Sequence, residues 1–370
     1  MIYLDNAATT KPKVEVLENA LPYLTENYGN PSSPYSFGQT ARKAIENARI
    51  QIALVLGVSS NEIYFTSGST ESINYITRQF NRAYVGSIEH HATIYSARYN
   101  SKATVIPVDQ DGFYLFSQVD MTEHGVICIS LGNNVIGNII PLKQIQELRS
   151  SCDNVIALDI TQSFGHMDVK EYLKYVDIAY GSFHKLGGVK GCGFVYISDR
   201  ISKSPMLYGG AQESNFRAGT ENVFGIVAGE YATRNSYRNL QKNKEKVGKL
   251  RNLFFNSMEE KCGNYSWHLN GTADWNYRLA GNVNIRFDGY EGEELLSWLD
   301  LYGICGSSGS ACDSESKEPN HVLKAIGLTD QQANSSIRFT ISEDNTENEI
   351  IRTIDVLEMG LKNLGVGQNV

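Results

Sequence analysis

The chain has 370 residues, of which 41% are hydrophobic, and its 41 acidic residues outnumber 33 basic ones to give a net charge of −8. A chain of this size can bury a large core, and we expect two domains. The acidic balance, without a basic stretch, argues against nucleic acid as a direct ligand. Because the sequence has neither a run of about 18 apolar residues nor a charged and then apolar N-terminus, we expect no membrane span, no secretory signal and a cytoplasmic location.

The six cysteines show no C-x-x-C spacing and are too sparse for a disulfide framework. We expect most of them to be reduced thiols in the core, Cys305 to be structural, and no metal site to be present. Cys312 differs, because it lies in a run of small polar residues. The remaining cysteines are Cys128, Cys152, Cys192 and Cys262.

An arm and two helices open the chain. Residues 3–12 are mostly small and polar and end at Pro12, which favours a turn or a helix start. The spacing of apolar residues predicts helices over Val14 to Leu24 and Gln39 to Leu56, separated by a turn-rich loop.

A short apolar strand and a helix start follow at Glu62 to Asn74. The unpaired N–H groups and positive dipole of a helix N-terminus attract anions, so Gly68, Ser69 and Thr70 are a candidate phosphate cradle. An ordinary N-cap would use the same residues without any ligand. The local pattern alone leaves both interpretations open.

Polar side chains also lie at or just after the ends of three further apolar segments. Ser87 to Ala92 contains two adjacent histidines, and the strand predicted at Val126 to Leu131 is followed by a pair of asparagines. The strand predicted at Val155 to Ile160 carries one carboxylate, Asp159, and a buried charge is costly unless a partner pairs with it. The protonated nitrogen of a pyridine ring would be such a partner. A helix cap or a surface acid would also explain Asp159.

Lys185 lies in the glycine-rich stretch Tyr180 to Gly193, which follows the apolar segment Val176 to Ala179. At a strand end among small residues a lysine can lose its solvation, so that its amine becomes a nucleophile able to form a Schiff base with an aldehyde. That reactivity suits pyridoxal phosphate, although a single lysine between glycine-rich turns is commonly a solvated loop residue. Only the cofactor interpretation explains Lys185 and Asp159 together.

The C-terminal half contains helices, strands and one irregular run. Helical spacing predicts one long helix from Val223 to about Glu259, which would join a large domain to a small one. Small polar residues from Gly303 to Pro319 cannot pack, so we expect a mobile loop that exposes the thiol of Cys312. The remaining predicted elements are a strand at 282–287, a helix at 291–301, a strand with the single arginine Arg338 at 335–341 and a helix at 348–364.

These motifs resemble, in the same order, those of the cysteine desulfurases of the NifS and IscS type. The similarity extends from Tyr3 to about Ile354 and includes the Ser-Gly-Ser-Ala-Cys sequence that ends at Cys312 and the Arg-x-Gly-Thr-Glu-Asn block that ends at Asn222. It implies an α/β fold, that of the fold-type-I, pyridoxal-phosphate-dependent transferases.

The resemblance also implies the domain organisation. A large domain, residues 13–245, would contain a mostly parallel seven-stranded sheet. A smaller α+β domain, residues 1–12 and 246–370, would carry the cysteine loop at about 305–320.

Matching the family motifs residue by residue implies a site. Lys185, Cys312 and His90 would be catalytic, and Thr220 would reach the phosphate of the neighbouring subunit in a homodimer with shared active sites. The cofactor-binding residues would be Ser69, Thr70, His90, Asn134, Asp159, Gln162, Ser182, His184, Lys185 and Thr220. The substrate-binding residues would be Arg338, Asn134, Asn6 and Ala7.

The activity implied is conversion of L-cysteine to L-alanine, with the sulfur held as a persulfide on Cys312 and passed to an acceptor protein. Tyr35 stands where the family commonly has histidine, and Val135 replaces the usual acid after the paired asparagines. IscS-type chains generally end in a longer tail that docks the iron–sulfur scaffold, and we expect this chain, which is given as far as the segment Gly360 to Val370, to act without it. Iron–sulfur cluster assembly and tRNA thiolation are therefore both open as the destination of the sulfur.

Three other functions fit parts of the same pattern. A selenocysteine lyase would use the same residues on selenium, and an aminotransferase on this fold would need no exposed cysteine. A non-catalytic sulfur-relay or scaffold protein could share the fold, although the presence of Lys185, Asp159, His90, Arg338 and Cys312 argues against it.

Overall fold

The structure, a computed structural model, describes residues 1–308 and 319–365 of the chain. Its strands are β1 (Ile2–Tyr3), β2 (Ile63–Thr66), β3 (Arg82–Gly86), β4 (Lys102–Ile106), β5 (Val126–Ser130), β6 (Val155–Asp159), β7 (Ile178–Ser182), β8 (Gly193–Ile197), β9 (Trp267–Leu269), β10 (Asn282–Phe287), β11 (Ile304–Cys305), β12 (Ser307–Ser308) and β13 (Ser336–Thr340). Its α-helices are α1 (Val14–Ala20), α2 (Pro22–Thr25), α3 (Ser36–Leu56), α4 (Ser69–Arg78), α5 (His91–Asn100), α6 (Leu142–Ser151), α7 (Lys170–Leu173), α8 (Gln212–Asn215), α9 (Val223–Arg238), α10 (Leu240–Cys262), α11 (Gly292–Leu301), α12 (His321–Ala325), α13 (Asp330–Asn334) and α14 (Glu347–Leu364). None of the helices in these two ranges is both long and apolar enough to cross a bilayer.

A seven-stranded sheet with the order β2-β8-β7-β6-β5-β3-β4 lies at the centre of the fold. The five strands β3 to β7 run parallel to one another, and β8 runs antiparallel to both of its neighbours, β7 and β2. The inner strands are continuous apolar runs because helices cover both faces of the sheet. This arrangement confirms the predicted α/β fold with a mostly parallel seven-stranded sheet.

The register of the parallel strands sets the carboxyl ends of β5, β6 and β7 side by side. Ser130 pairs with Asp159, and Asp159 pairs with Tyr180. Ligands in open parallel sheets bind outside this edge, where the loops that follow the strands converge. The segments that carry Asp159 and Lys185 therefore meet at one edge.

A second, antiparallel sheet has the order β12-β13-β10-β9 and packs with α10, α11 and α14 around its own apolar core. Leu4 of the N-terminal arm is completely buried in that core. The arm thus packs with the second sheet, although all the strands of the first sheet lie between the arm and the second sheet in the sequence. α10 runs without interruption through the predicted domain boundary at residue 245, and the domain limits remain a prediction.

Two of the predicted helices are interrupted. The single helix expected from Val223 to about Glu259 is wrong, because α9 and α10 are separated at Asn239, whose φ of −104° and ψ of 7° leave the helical region. The helix expected over Val14 to Leu24 is divided into α1 and α2 at Pro22, which has no backbone N–H to donate. α3 begins at Ser36, three residues before the predicted start.

A buried ion pair ties the segment after β8 to the edge of the large sheet. The Arg49 guanidinium donates to both carboxylate oxygens of Glu213 at 2.8 Å, and the Phe65 backbone N–H donates to the same carboxylate at 2.8 Å. Arg49 and Glu213 are 8% and 6% exposed. Glu213, Ser214 and Asn215 all have positive φ, which is strained for residues other than glycine and must be held by such contacts.

We predict that Arg49→Met lowers the free energy of unfolding by about 3–5 kcal/mol, because it leaves the Glu213 carboxylate buried without its cation. Urea denaturation measures the change. Arg42→Met, on an exposed position of the same helix, is the matched control and should stay within about 0.5 kcal/mol of the wild type. A loss for Arg49→Met no larger than that of the control would show that the pair does not hold this segment.

Candidate active site

A cavity of about 420 Å³ opens at the carboxyl edge of β5, β6 and β7. Its size lies within the range of about 300–1,000 Å³ that small-molecule sites occupy. It is lined by eleven of the residues that the sequence predicted: Ala7, Ser69, Thr70, His90, Asn134, Asp159, Gln162, Ser182, His184, Lys185 and Arg338. The fold thus brings together side chains that are up to 331 positions apart, as counted from Ala7 to Arg338.

Three predicted site residues are not among these lining residues. Asn6 lines a neighbouring cavity instead, and its amide donates to the Thr340 carbonyl at 2.8 Å. Thr220 is exposed on the single chain and lies outside the cavity. Cys312 lies outside the described residues.

One end of the cavity is built from hydroxyl groups. α4 begins here, and the Ser69 backbone N–H donates to Ser182 Oγ at 2.9 Å. Ser69 Oγ lies 2.8 Å from Ser182 Oγ and 2.7 Å from Thr161 Oγ1. A helix N-terminus with three converging hydroxyls suits a phosphate group. Thr161 was not identified from the sequence, although its place two residues after Asp159 was a signal.

The strand β8 can lie close to β7 and to the turn before α4 at this end because Gly193 has no side chain. A Cβ on Gly193 would come within 2.4 Å of the Gly181 carbonyl oxygen and 2.8 Å of Gly68 Cα. A side chain there would push β8 away from the turn that begins α4. The hydroxyl cluster therefore depends on this close backbone contact.

Asp159 lies at the C-terminal end of β6 and receives a hydrogen bond of 2.8 Å from the Thr161 backbone N–H. Burial raises the pKa of Asp159, while the bond from Thr161 and the charge of Lys185 oppose that rise. Over residues 1–308 and 319–365 no cation lies within 4 Å of this carboxylate. A cationic group placed in the cavity beside Asp159 would stabilise its charged form.

Lys185 ends the short turn Phe183 to Lys185 that follows β7. Its Nζ donates to the carbonyls of Ala7 and Ala8, each at 2.6 Å, and its own carbonyl lies 2.9 Å from His166 Nε2. The N-terminal arm is thus the wall against which the amine rests. Gln162 fixes the same wall, because its amide donates to the Ala7 carbonyl at 3.0 Å.

His90 precedes α5 and faces the cavity, where its Nδ1 accepts the Ala92 backbone N–H at 3.1 Å. Its ring is exposed to the cavity space and enclosed by the surrounding walls. This enclosure, together with the charge of Lys185, lowers the pKa of His90 to about 4. The ring is therefore neutral near pH 7, and because Nδ1 is an acceptor the proton is assigned to Nε2. Burial and the charge of Lys185 likewise lower the pKa of His184 to about 4.

Arg338 extends from β13 of the second sheet into the opposite end of the cavity. One of its terminal nitrogens donates to the Asn134 carbonyl at 2.9 Å, and the other contacts the Asp5 carboxylate at 2.6 Å. Nε is buried without a hydrogen-bond partner among the described residues. The guanidinium is a planar donor fork suited to a carboxylate.

A buried network behind His90 was missed by the sequence analysis. The Glu89 carboxylate accepts from the Tyr114 hydroxyl, and from the Ser130 backbone N–H at 3.1 Å. Its second oxygen is buried and has no partner among the residues described. Burial and the negative charge of Asp159 together raise the pKa of Glu89 to about 8, although the hydrogen bonds from Tyr114 and Ser130 oppose the rise. The sequence signal for Glu89 was its position directly before the two histidines, His90 and His91.

The turn that carries Glu89 and His90 is also in contact with α12, which follows Cys312 in the sequence. His321, the first residue of α12, lies 2.9 Å from His91 through its Nδ1 and 2.8 Å from the Glu89 carbonyl through its Nε2. The two imidazole rings are stacked, with centroids 4.4 Å apart. His321 thus connects α12 to the turn that carries His90.

The cavity fits pyridoxal phosphate. The hydroxyl cluster suits the phosphate group. Asp159 lies in the cavity without a close cation among the described residues, and the protonated ring nitrogen would supply one. Lys185 brings an amine into the same cavity. No group of three or more His, Cys, Asp or Glu side chains arranged for a metal ion occurs in the part of the chain that the structure describes.

Comparison with known proteins agrees with this geometry. The aminotransferase class-V family matches residues 2–352. The cysteine desulfurase IscS of Clostridium botulinum (strain Hall) is 38% identical over 98% of this chain and 94% of its own length. A solved structure named as a NifS-like protein superposes with a TM-score of 0.88 at 29% identity, covering 98% of this chain and all of that one. A second, SspA in complex with cysteine, has a TM-score of 0.76 at 27% identity and covers 93% and 99% of the two chains. The chain belongs to the aminotransferase class-V family.

Proposed function

We propose that this protein is a pyridoxal-phosphate-dependent cysteine desulfurase, which converts L-cysteine to L-alanine and transfers the sulfur through a persulfide on Cys312. The observation that supports it most is a single cavity into which Lys185, Asp159 and Arg338 all face. The relative from Clostridium botulinum named cysteine desulfurase IscS supports the same activity, as does the complex of SspA with cysteine.

When bound, pyridoxal phosphate supplies an electron-withdrawing ring that stabilises negative charge at the substrate Cα. Ser69, Ser182 and Thr161 would hold its phosphate, and Asp159 would hold the ring nitrogen. His90 would lie against the ring face. These roles divide the cavity into a phosphate end and a substrate end.

The substrate end belongs to Arg338, Asn134, Lys185 and His90. Arg338 binds the cysteine carboxylate through its donor fork, with Asn134 beside it. The Lys185 amine, which lies against the Ala7 and Ala8 carbonyls at the wall of the cavity, removes the proton from Cα. His90, neutral and protonated on Nε2, has a proton to donate toward the substrate.

The sulfur leaves the substrate by transfer to Cys312. The bond from substrate Cβ to sulfur breaks, a bond from the Cys312 Sγ to that sulfur forms, and Cβ receives a proton to give alanine. The products are alanine and a Cys312 persulfide, so no oxidant is consumed. The persulfide then passes its outer sulfur to an acceptor protein, for iron–sulfur cluster assembly or tRNA thiolation.

The proposal includes a cytoplasmic homodimer. Thr220 is exposed and outside the cavity of its own chain, which is compatible with a contact to the phosphate in a second subunit. Residues 1–12 and 246–370 would form the smaller domain that carries Arg338 and Cys312.

Two substitutions separate cofactor binding from sulfur transfer. Lys185→Ala should lose the absorbance of the bound cofactor and also the formation of alanine from cysteine. Cys312→Ser should retain the absorbance and lose at least about 99% of alanine formation, because the sulfur has no acceptor atom. Cys305→Ser is the matched control and should retain both.

Alanine release by Cys312→Ser at the wild-type rate would contradict the assignment of the nucleophile. Retention of the bound-cofactor absorbance by Lys185→Ala would contradict the assignment of the lysine. The two readouts are absorbance spectroscopy and amino-acid analysis of the reaction mixture.

A third prediction concerns the charge behind His90. A protonated Glu89 carries no negative charge that would compete with Asp159 for the ring nitrogen. Because burial raises the pKa of Glu89 from 4.5 to about 8, the folded protein retains a proton that the unfolded chain releases. Between those pH values the free energy of unfolding falls as pH rises.

Glu89→Gln removes this titration. The stability of the wild type relative to Glu89→Gln should therefore decrease from about pH 5 to about pH 8, by roughly 1–3 kcal/mol in urea denaturation. Glu147→Gln, at an exposed position on α6, is the control and should follow the pH dependence of the wild type. Parallel pH curves for Glu89→Gln and the wild type would show that Glu89 is ionised in the folded protein.

A further inference from the structure

The arginine expected to bind the substrate carboxylate already holds a carboxylate of this chain. Asp5 lies 2.6 Å from a terminal nitrogen of Arg338, and both residues line the cavity. The side chain of Arg338 is 7% exposed and that of Asp5 is 18% exposed. The contact is therefore a close, largely enclosed ion pair at the substrate end of the cavity.

The backbone around Asp5 keeps it there. The Thr340 backbone N–H donates to the Leu4 carbonyl at 2.5 Å, and Asp5 pairs with Thr340 as an extension of β13. The Asn6 amide donates to the Thr340 carbonyl at 2.8 Å. These hydrogen bonds on either side of Asp5 hold its backbone beside β13, where its carboxylate is within reach of Arg338.

The charges of the cavity balance before any ligand enters. Lys185 and Arg338 are its cations, and Asp5 and Asp159 are its anions among the residues that line it. His90 and His184 are neutral near pH 7, because the pKa of each is lowered to about 4. Asp159 is assigned to the ring nitrogen and Lys185 to the cofactor, so the cation that remains for a substrate carboxylate is Arg338, which is already paired with Asp5.

We propose that Asp5 is a specificity-determining residue that selects amino acids with uncharged side chains. Asp5 shares the Arg338 fork with the substrate carboxylate and repels a second negative charge on the substrate. This inference rests on the proposed function in one respect: it takes the carboxylate of an amino acid as the group that Arg338 binds.

The selection follows from counting charges around one guanidinium. Arg338 has donors on more than one edge, so it can hold Asp5 and a substrate carboxylate together. Its single positive charge then faces two negative ones. An acidic side chain adds a third anion near Asp5, and the other lining cation, Lys185, is the amine assigned to the cofactor. Like charges in an enclosed site repel strongly. Neutral side chains avoid this repulsion.

The test compares two amino acids that differ in side-chain charge. Dissociation constants for L-alanine and L-aspartate are measured by titration calorimetry on the protein supplied with pyridoxal phosphate. The wild type should bind L-alanine more tightly than L-aspartate. Asp5→Asn, whose amide oxygen can still accept from Arg338, should improve the relative affinity for L-aspartate at least about tenfold, which corresponds to about 1.4 kcal/mol.

Two further variants keep the test decisive. Asp111→Asn removes one negative charge at an exposed position outside the cavity, and its affinity ratio should equal that of the wild type. Asp5→Ser, also uncharged, should shift the ratio in the same direction as Asp5→Asn, and it replaces that variant if thermal melting shows Asp5→Asn to be unfolded.

An unchanged ratio in both Asp5 variants overturns the inference. Weaker binding of L-alanine by both variants also overturns it, because Asp5 would then serve to orient Arg338 for the substrate. Alanine formation from cysteine is measured separately on the same preparations. A shifted ratio without any alanine formation would keep the selectivity and reject the desulfurase activity.

Discussion

The parallel register of β5, β6 and β7 is the constraint on which the site depends. It places Asp159 at the end of one strand and the turn with Lys185 at the end of the next, so an anion and an amine converge on one space. Asp159 has no close cation in the described ranges, and the Lys185 amine rests on two backbone carbonyls. A buried carboxylate with a raised pKa, facing a cavity beside an amine, is typical of a site built for a ligand.

The N-terminal arm is the second constraint, because it contacts both sheets at the cavity. Leu4 is buried in the core of the second sheet, Ala7 and Ala8 receive the Lys185 amine, and Asp5 holds Arg338. The two charged groups that would act on a substrate are therefore both held by one short segment. A change in the arm would alter cofactor and substrate residues together, which makes its position as important as that of either side chain.

The sequence predicted the parts of the site that follow strand ends. Asp159 is the last residue of a strand, and Ser69 and Lys185 each lie three residues beyond one. The apolar runs of these segments mark buried strands whose carboxyl ends share an edge. The assignment of Arg338 and Cys312 needed the family resemblance, because one arginine in a strand or one cysteine in a polar run has no periodic signal. The roles given to all of these residues remain predictions.

Contacts between distant segments could not be predicted. Tyr114 reaches Glu89, His321 reaches the turn before α5, and Asp5 reaches Arg338 only because separate elements pack together, and no local pattern encodes such packing. The break between α9 and α10 was missed for a different reason. Asn239 bonds through its side chain to the Asn235 carbonyl and ends one helix, while the apolar spacing continues on both sides of it.

The central claim is that the Lys185 amine is the group that binds pyridoxal phosphate covalently. Borohydride reduction of the protein with its cofactor, followed by proteolysis and mass spectrometry, identifies the lysine that carries the label. We expect a pyridoxyl phosphate group on the peptide that contains Lys185 and no label there in Lys185→Ala. Labelling of another lysine, or of none, would contradict it.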